Sequence, residues 1–149
     1  MSTGPNSLRQ RWLSLFSRAD LPVLQSALDE IGPPADLHWL RRPETGAVMT
    51  RGRMGGSGAP FNMGEMTVTR AAVRLADGTV GMGYAAGRSH LKAELIAQLD
   101  AVLQQNPDRA EPILVPIETA LAQGKAESAR KAAATKVEFF TLVRGENAK

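Results

Sequence analysis

Residues 51–87 read RGRMGGSGAPFNMGEMTVTRAAVRLADGTVGMGYAAG. No long helix passes through such a stretch, because each interior glycine costs a helix roughly 1 kcal/mol. What it does contain is a strand–turn–strand pattern. Residues 66–75 are rich in β-branched and alternating apolar positions, Asp77-Gly78 is a hairpin turn pair, and residues 79–85 return. Residues 54–64, with Gly55, Gly56, Gly58, Pro60 and Gly64, read as a loop.

Helical patterns flank this centre. Residues 8–18 place Leu8, Trp12, Leu15 and Phe16 on one face. A second helix starts at Asp20, carries Pro22 in its first turn and Leu24, Ala27, Leu28 and Ile31 at helical spacing, and stops at Gly32-Pro33-Pro34. Residues 37–42 and 47–53 read as strands joined by a turn at Pro43-Glu44-Thr45-Gly46. After Ser89, a helix cap, residues 91–105 carry an apolar stripe of Leu95, Leu99, Val102 and Leu103. Residues 111–144 are helix-prone, with Pro116 and Gly124 as possible breaks, and residues 125–136 hold almost no large apolar side chain. The expectation is one α+β domain over residues 1–149: an antiparallel meander of about four strands (residues 37–86), flanked by N-terminal helices and a C-terminal helical region (89–144), with residues 1–6 frayed.

Composition removes several chemistries. There is no cysteine, so the chain builds no disulfide, thiolate nucleophile or iron–sulfur site of its own. His38 and His90 stand far apart without carboxylates at ligand spacing, which argues against a metal site. No apolar run approaches the ~20 residues needed to cross a bilayer, and the N-terminus lacks the pattern of a signal peptide. These readings point to a cytoplasmic protein. Aromatic residues are only 5% of the chain, weak evidence for a domain that completes its burial against a partner.

Charge is unevenly placed. Residues 1–88 hold ten arginines, no lysine and seven acids, whereas the remainder balances. Arginine's planar fork matches phosphates and carboxylates in fixed geometry. A phosphate-bearing ligand and inter-subunit salt bridges are equally good readings of that excess. In a strand, Arg70 and Arg74 share a face with Met66, Val68 and Ala72, while Ala71, Val73 and Leu75 point to the core.

Arg53-Met54-Gly55-Gly56-Ser57-Gly58 offers successive backbone N–H groups that can nest an anion. It is neither a Walker loop nor a dinucleotide fingerprint, since no Gly-Lys-Ser/Thr follows and the next element is a strand. The alternative is a loop that needs glycine only for its backbone angles. Glu65 and Asp77 do not pair as an acid and base: Asp77 suits a turn, and Glu65 suits an arginine partner. No serine sits in a nucleophile elbow. The apolar patch at residues 137–143, with Phe139 and Phe140, is either core or an anchor into a partner.

Taken together, Arg53 to Gly58 with Phe61, Gly64 and Glu65, then Thr69-Arg70-Ala71-Ala72-Val73-Arg74-Leu75 and Asp77-Gly78-Thr79, resemble the PhnG family of the bacterial carbon–phosphorus lyase pathway. The likeness continues through Gly87-Arg88, Ala93-Glu94, Asp100-Ala101-Val102-Leu103 and the segment Phe139 to Ala148, and is weakest over residues 106–135. The resemblance implies an accessory subunit of a core complex with PhnI, PhnH and PhnJ subunits. That complex transfers an alkylphosphonate to the ribose C1 of ATP, releasing adenine. It further implies that PhnI carries the nucleosidase chemistry, that MgATP is used at the level of the complex, and that the iron–sulfur cluster belongs to PhnJ. On this reading the chain has no cofactor and no catalytic residue of its own. Arg53, Gly55, Gly56, Gly58, Arg70, Arg74 and Arg88 are the candidates for partner or ligand contact. Two other readings compete: a stand-alone basic nucleic-acid-binding module, disfavoured because acids interleave the arginines and no aromatic platform accompanies them, and an enzyme active alone, which lacks a visible base.

Overall fold

The computed structural model describes the backbone of residues 5–146 and the side chains of residues 7–135. The chain is α+β, as its pattern predicts. Helices α1 (Pro5–Arg18) and α2 (Leu21–Ile31) lead into a three-stranded antiparallel sheet, β1 (Leu37–Arg53), β2 (Pro60–Leu75) and β3 (Val80–Ala86), in the order β1-β2-β3. Helix α3 (His90–Gln105) follows, and a short 3₁₀ turn (Pro107–Arg109) delivers the chain into α4 (Ala110–Glu146).

The strand count is three rather than four, for a local reason. Pro43 to Gly46 do not turn the chain. They lie within β1, where the register against β2 shifts between Trp39 and Arg41 and again between Arg41 and Glu44. These irregularities are bulges, and β1 is an edge strand; both settings tolerate a proline that cannot donate to a ladder. Likewise the glycine-rich segment is shorter as a loop than its composition suggests. β2 already begins at Pro60, and only Met54–Gly56 and the three residues after it close the hairpin. The Asp77-Gly78 turn is present: Gly78 takes φ 93°, Leu75 N–H donates to Thr79 O at 2.8 Å, and Thr79 N–H donates to Asp77 Oδ1 at 3.0 Å.

The helix limits follow their chemistry. α1 begins at Pro5 rather than residue 8, with a proline preset for the first turn. Pro22 occupies the first turn of α2, and Gly32, at φ 90°, ends it. Ser89 Oγ accepts from Lys92 N–H at 3.2 Å and caps α3. Neither Pro116 nor Gly124 interrupts α4. Pro116 stands only two turns into the helix, so the missing N–H falls near its start. Residues 122–135 of α4 are exposed along their length, in keeping with their lack of large apolar side chains. The side chains of residues 137–143, singled out for their apolarity, lie outside the described residues.

α3 is the axis of the domain. One side packs through Leu95, Ile96, Leu99, Val102 and Leu103 against Trp12, Leu15 and Phe16 of α1, Leu24 and Leu28 of α2, and Leu114 and Ile117 of α4. Its opposite side is a row of alanines, Ala93, Ala97 and Ala101, under Ala71, Val73 and Leu75 of β2. Small residues on both partners bring β3 down onto the helix. A Cβ on Gly83 would lie 1.9 Å from Ala93 O, and one on Gly81 would lie 2.1 Å from Ala97 O. Only glycine fits at either position.

Candidate partner-binding face

The helices that pack on the sheet, α1 and α3, do so from one side, and among the described residues nothing covers the opposite face. β2 alternates as expected along that face: Arg70 and Arg74 are exposed, and Ala71, Val73 and Leu75 are buried. Val68, expected beside the arginines on the open face, is instead buried. Across the ladder, Arg70 pairs in register with Tyr84, Ala72 with Met82 and Arg74 with Val80. On the other flank Arg74 faces His38, and Arg70 faces Glu44. Tyr84, Met82, Val80 and Leu40 are exposed large apolar residues. The face therefore mixes guanidinium groups with apolar surface.

The arginines fall into two groups. In the helical half three make tertiary contacts, while Arg18 bonds only to Ser14 of its own helix and Arg130 makes no ion pair among the described residues. Arg9 donates to Asp100 (Nε–Oδ1 3.1 Å, Nη2–Oδ2 2.9 Å), Arg11 pairs with Glu111 and Glu118, and Arg109 donates to Ile31 O at 3.0 Å. Those of the sheet and its hairpin are mostly unspent. Among the described residues, Arg42, Arg51, Arg53, Arg74 and Arg88 make no ion pair. Arg70 donates to Glu44 at 3.2 Å, and Glu44 is also held by Arg41. That arginine pair, Arg41 first, keeps the Glu44 carboxyl below the usual range. The carboxylate that answers Arg70 is thus Glu44, and Glu65, expected to meet an arginine, makes no ion pair among the described residues.

The seven sequence candidates do not converge. Arg53, Gly55, Gly56 and Gly58 lie at the hairpin tip, Arg70 and Arg74 lie in the body of the sheet, and Arg88 follows β3 near the hairpin base. Along β2 the tip and Arg74 are roughly 45 Å apart at ~3.3 Å per residue. The glycines of the tip are explained by the turn. Gly55 and Gly56 take φ of 61° and 80°, and Gly58 N–H donates to Met54 O at 2.8 Å, where a Cβ would approach that oxygen to 2.6 Å. Backbone geometry alone is enough to require glycine at all three positions.

A hydrogen-bonded chain ties β1 to the start of α3. Buried Thr69 donates from Oγ1 to Gly87 O at 2.8 Å. Its single proton is then spent, so in the 3.1 Å contact with Thr45 it accepts. The Thr45 proton is spent in turn, and His90 Nε2, 3.0 Å from Thr45 Oγ1, is the donor. His90 thus carries a proton on Nε2, a structural role that suits its position beside a capped helix end. His38 is exposed on the edge strand.

Sequence reasoning missed the most heavily bonded group of the molecule. Asp100 is wholly buried in α3 and accepts from Arg9, from Trp12 Nε1 at 2.8 Å, from Met82 N–H at 2.8 Å and from Gln104 Nε2 at 3.2 Å. The signal was available: an aspartate inside an apolar run between Leu99 and Ala101 needs donors from elsewhere. Asp100 and Gln104, which donates to Val80 O at 2.7 Å, also satisfy the free edge of β3. Among the described residues no cluster of three His, Asp or Glu side chains is placed to hold a metal ion, and no helix is long and apolar enough to cross a membrane.

Residues 7–145 match the family model described as phosphonate metabolism protein PhnG. The chain is also 45% identical over 142 residues to a protein of Rhizobium meliloti (strain 1021), alpha-D-ribose 1-methylphosphonate 5-triphosphate synthase subunit PhnG, covering 93% of this chain and 90% of that protein. The matched span takes in the open sheet face, the hairpin and the Asp100 network together, and the chain belongs to the PhnG family.

Proposed function

We propose that this chain is a non-catalytic subunit of an alpha-D-ribose 1-methylphosphonate 5-triphosphate synthase. In this role it orders the active site of a PhnI subunit within an assembly that also contains PhnH and PhnJ subunits. MgATP and an alkylphosphonate are substrates of that assembly, and an iron–sulfur cluster belongs to another of its chains. The observation that carries the reading is the exposed sheet face, where Arg74, without an ion pair among the described residues, stands opposite exposed Val80 and next to Met82, and Arg70 stands opposite exposed Tyr84. Buried aromatic and arginine anchors characterise interface cores, and an arginine strip some tens of ångströms long is far larger than one triphosphate. The shifted carboxyls support the same reading, because Glu44, Asp77 and Glu118 are each lowered by a structural partner rather than raised towards a base near neutrality.

The test is co-expression with the PhnI subunit of the same genome, size-exclusion chromatography, and release of adenine from ATP with methylphosphonate. Co-elution, with activity that disappears when this chain is omitted, is the expected result. Arg74→Ala and Arg70→Ala should then weaken assembly or raise the KM for ATP. Arg74 should matter more, since removing Arg70 leaves Glu44 paired with Arg41. Separate elution, with turnover indifferent to this chain, would remove the proposal. Adenine release by this chain alone would overturn its non-catalytic role.

A further inference from the structure

β3 pairs with β2 only from Val68 to Arg74. Beyond that point β1 and β2 continue together to Arg53 and Pro60 as a ribbon with no third strand. Every side chain of residues 47–66 is exposed or half-buried. A two-stranded hairpin standing alone in water is marginal, yet this one is decorated with Met49, Met54, Phe61, Met63 and Met66, all exposed. Solvent gives no reason to gather these residues on an arm. Methionine is the side chain that adapts to an irregular partner surface.

The apolar side chains of the ribbon are arranged. A Cβ on Gly52 would lie 2.5 Å from Met63 Sδ and 3.4 Å from Phe61 Cζ. The thioether and the ring therefore lie across the bare backbone at Gly52 and form a joined platform. Met63 also sits where the ladder slips, between Thr50–Gly64 and Arg51–Asn62, a bulge that re-aims the strand. Arg51 and Arg53 flank Gly52 in the strand, paired with Asn62 and Pro60, and so project from the other face of the same ribbon, without ion pairs among the described residues; the ribbon's one acid is Glu65.

From this we infer that the ribbon is a docking arm, and that its occupant is an apolar groove with an acidic rim on a different chain. The inference rests on the subunit reading above and names the element and the partner chemistry. A second copy of this chain is a poor occupant. A two-fold interface sets a patch against itself, so Arg51 and Arg53 would oppose their own like charges.

The test uses the full chain co-expressed with the PhnI, PhnH and PhnJ subunits of the same genome. The variants are M63D, and R51E with R53E. Both sites are solvent-exposed, so the melting temperature of the isolated chain should stay within about 2 °C of the parent. M63D should lower affinity for the assembly at least about tenfold. The double reversal should lower it by a similar factor at low salt, with the loss shrinking in 0.5 M NaCl, roughly a Debye length of 4 Å. Parent and variants co-eluting equally would overturn the arm and leave the subunit reading standing. A parent that fails to co-elute would remove both. A parent that is a dimer by light scattering, made monomeric by M63D, would show that the ribbon pairs with its own copy and would also overturn the inference.

Discussion

The indole of Trp12 donates from Nε1 to Oδ1 of Asp100 at 2.8 Å, and both side chains are buried. Around this bond α1, α3 and β3 are fixed to one another. Arg9 brings a guanidinium from α1, Met82 brings a backbone N–H from β3, and Gln104 brings an amide from the next turn of α3. The bonds to Asp100 hold the Arg9 guanidinium more firmly protonated than usual.

Asp100→Ala would strand a buried indole N–H, an edge-strand N–H and a half-buried guanidinium. Breaking a buried pair from one side costs about 3–5 kcal/mol, which predicts a substantially lower midpoint in urea unfolding. Asp100→Asn keeps the volume but turns an NH₂ towards donors, so it should be destabilising as well. Arg9→Met should cost less than Asp100→Ala, because the carboxylate keeps three other donors. Equal losses for the two variants would contradict this account.

Gly83→Ala tests the contact between β3 and α3. The added carbon would lie 1.9 Å from Ala93 O, a backbone atom in the middle of a helix. Overpacking typically costs 1–3 kcal/mol where side chains can move aside, and here the obstacle is main chain, so the loss should reach about 3 kcal/mol or prevent folding. Ala at Gly46, which has nothing within 4 Å and no positive φ, is the control and should change thermal stability little.

These two contacts show what the sequence discloses and what it hides. The alternation of Arg70 and Arg74 with Ala71, Val73 and Leu75 is visible because a strand has period two, and the structure follows it. The Asp77-Gly78 turn and the Ser89 cap are visible because their chemistry is local. Pro43 misleads for the same reason: local turn propensity is overridden by a bulged edge strand paired to residues far along the chain. Asp100 is hidden because its donors come from residues 9, 12 and 82. Gly81 and Gly83 read as weak strand positions until the alanine row of α3 is seen beneath them.

His90 gives a spectroscopic prediction. Thr69 spends its proton on Gly87 O and Thr45 spends its proton on Thr69, so His90 must donate from Nε2. Long-range ¹⁵N–¹H correlation of the neutral imidazole should show a protonated Nε2 and a bare Nδ1. Thr45→Val should remove that preference with little loss of stability, since the site is exposed. Thr69→Val should cost about 1–3 kcal/mol, because Thr69 is wholly buried and Gly87 O loses its donor. A dominant Nδ1–H form in the parent chain would refute the order of donors.

Acid stability should separate charge pairing from neutral hydrogen bonding. Arg41, with Arg70, lowers the Glu44 carboxyl, and Arg11 lowers that of Glu118. Asp77 is lowered first by the Thr79 N–H and then by Gln105. A folded pKa below the unfolded one means that the unfolded chain binds protons first. Each group's contribution is therefore present above the ordinary carboxylate pKa of about 4 and is lost as pH falls through the lowered value. The melting temperature should fall steadily below about pH 4. Glu44→Gln and Glu118→Gln should each reduce that slope in dilute buffer, and their effects should fade in 0.5 M NaCl because exposed ion pairs are screened. Asp77→Asn should reduce the slope in either medium, since its partners are uncharged donors that salt does not screen. If salt abolished all three differences alike, the turn aspartate would be responding to the net positive field of the chain and not to the Thr79 N–H.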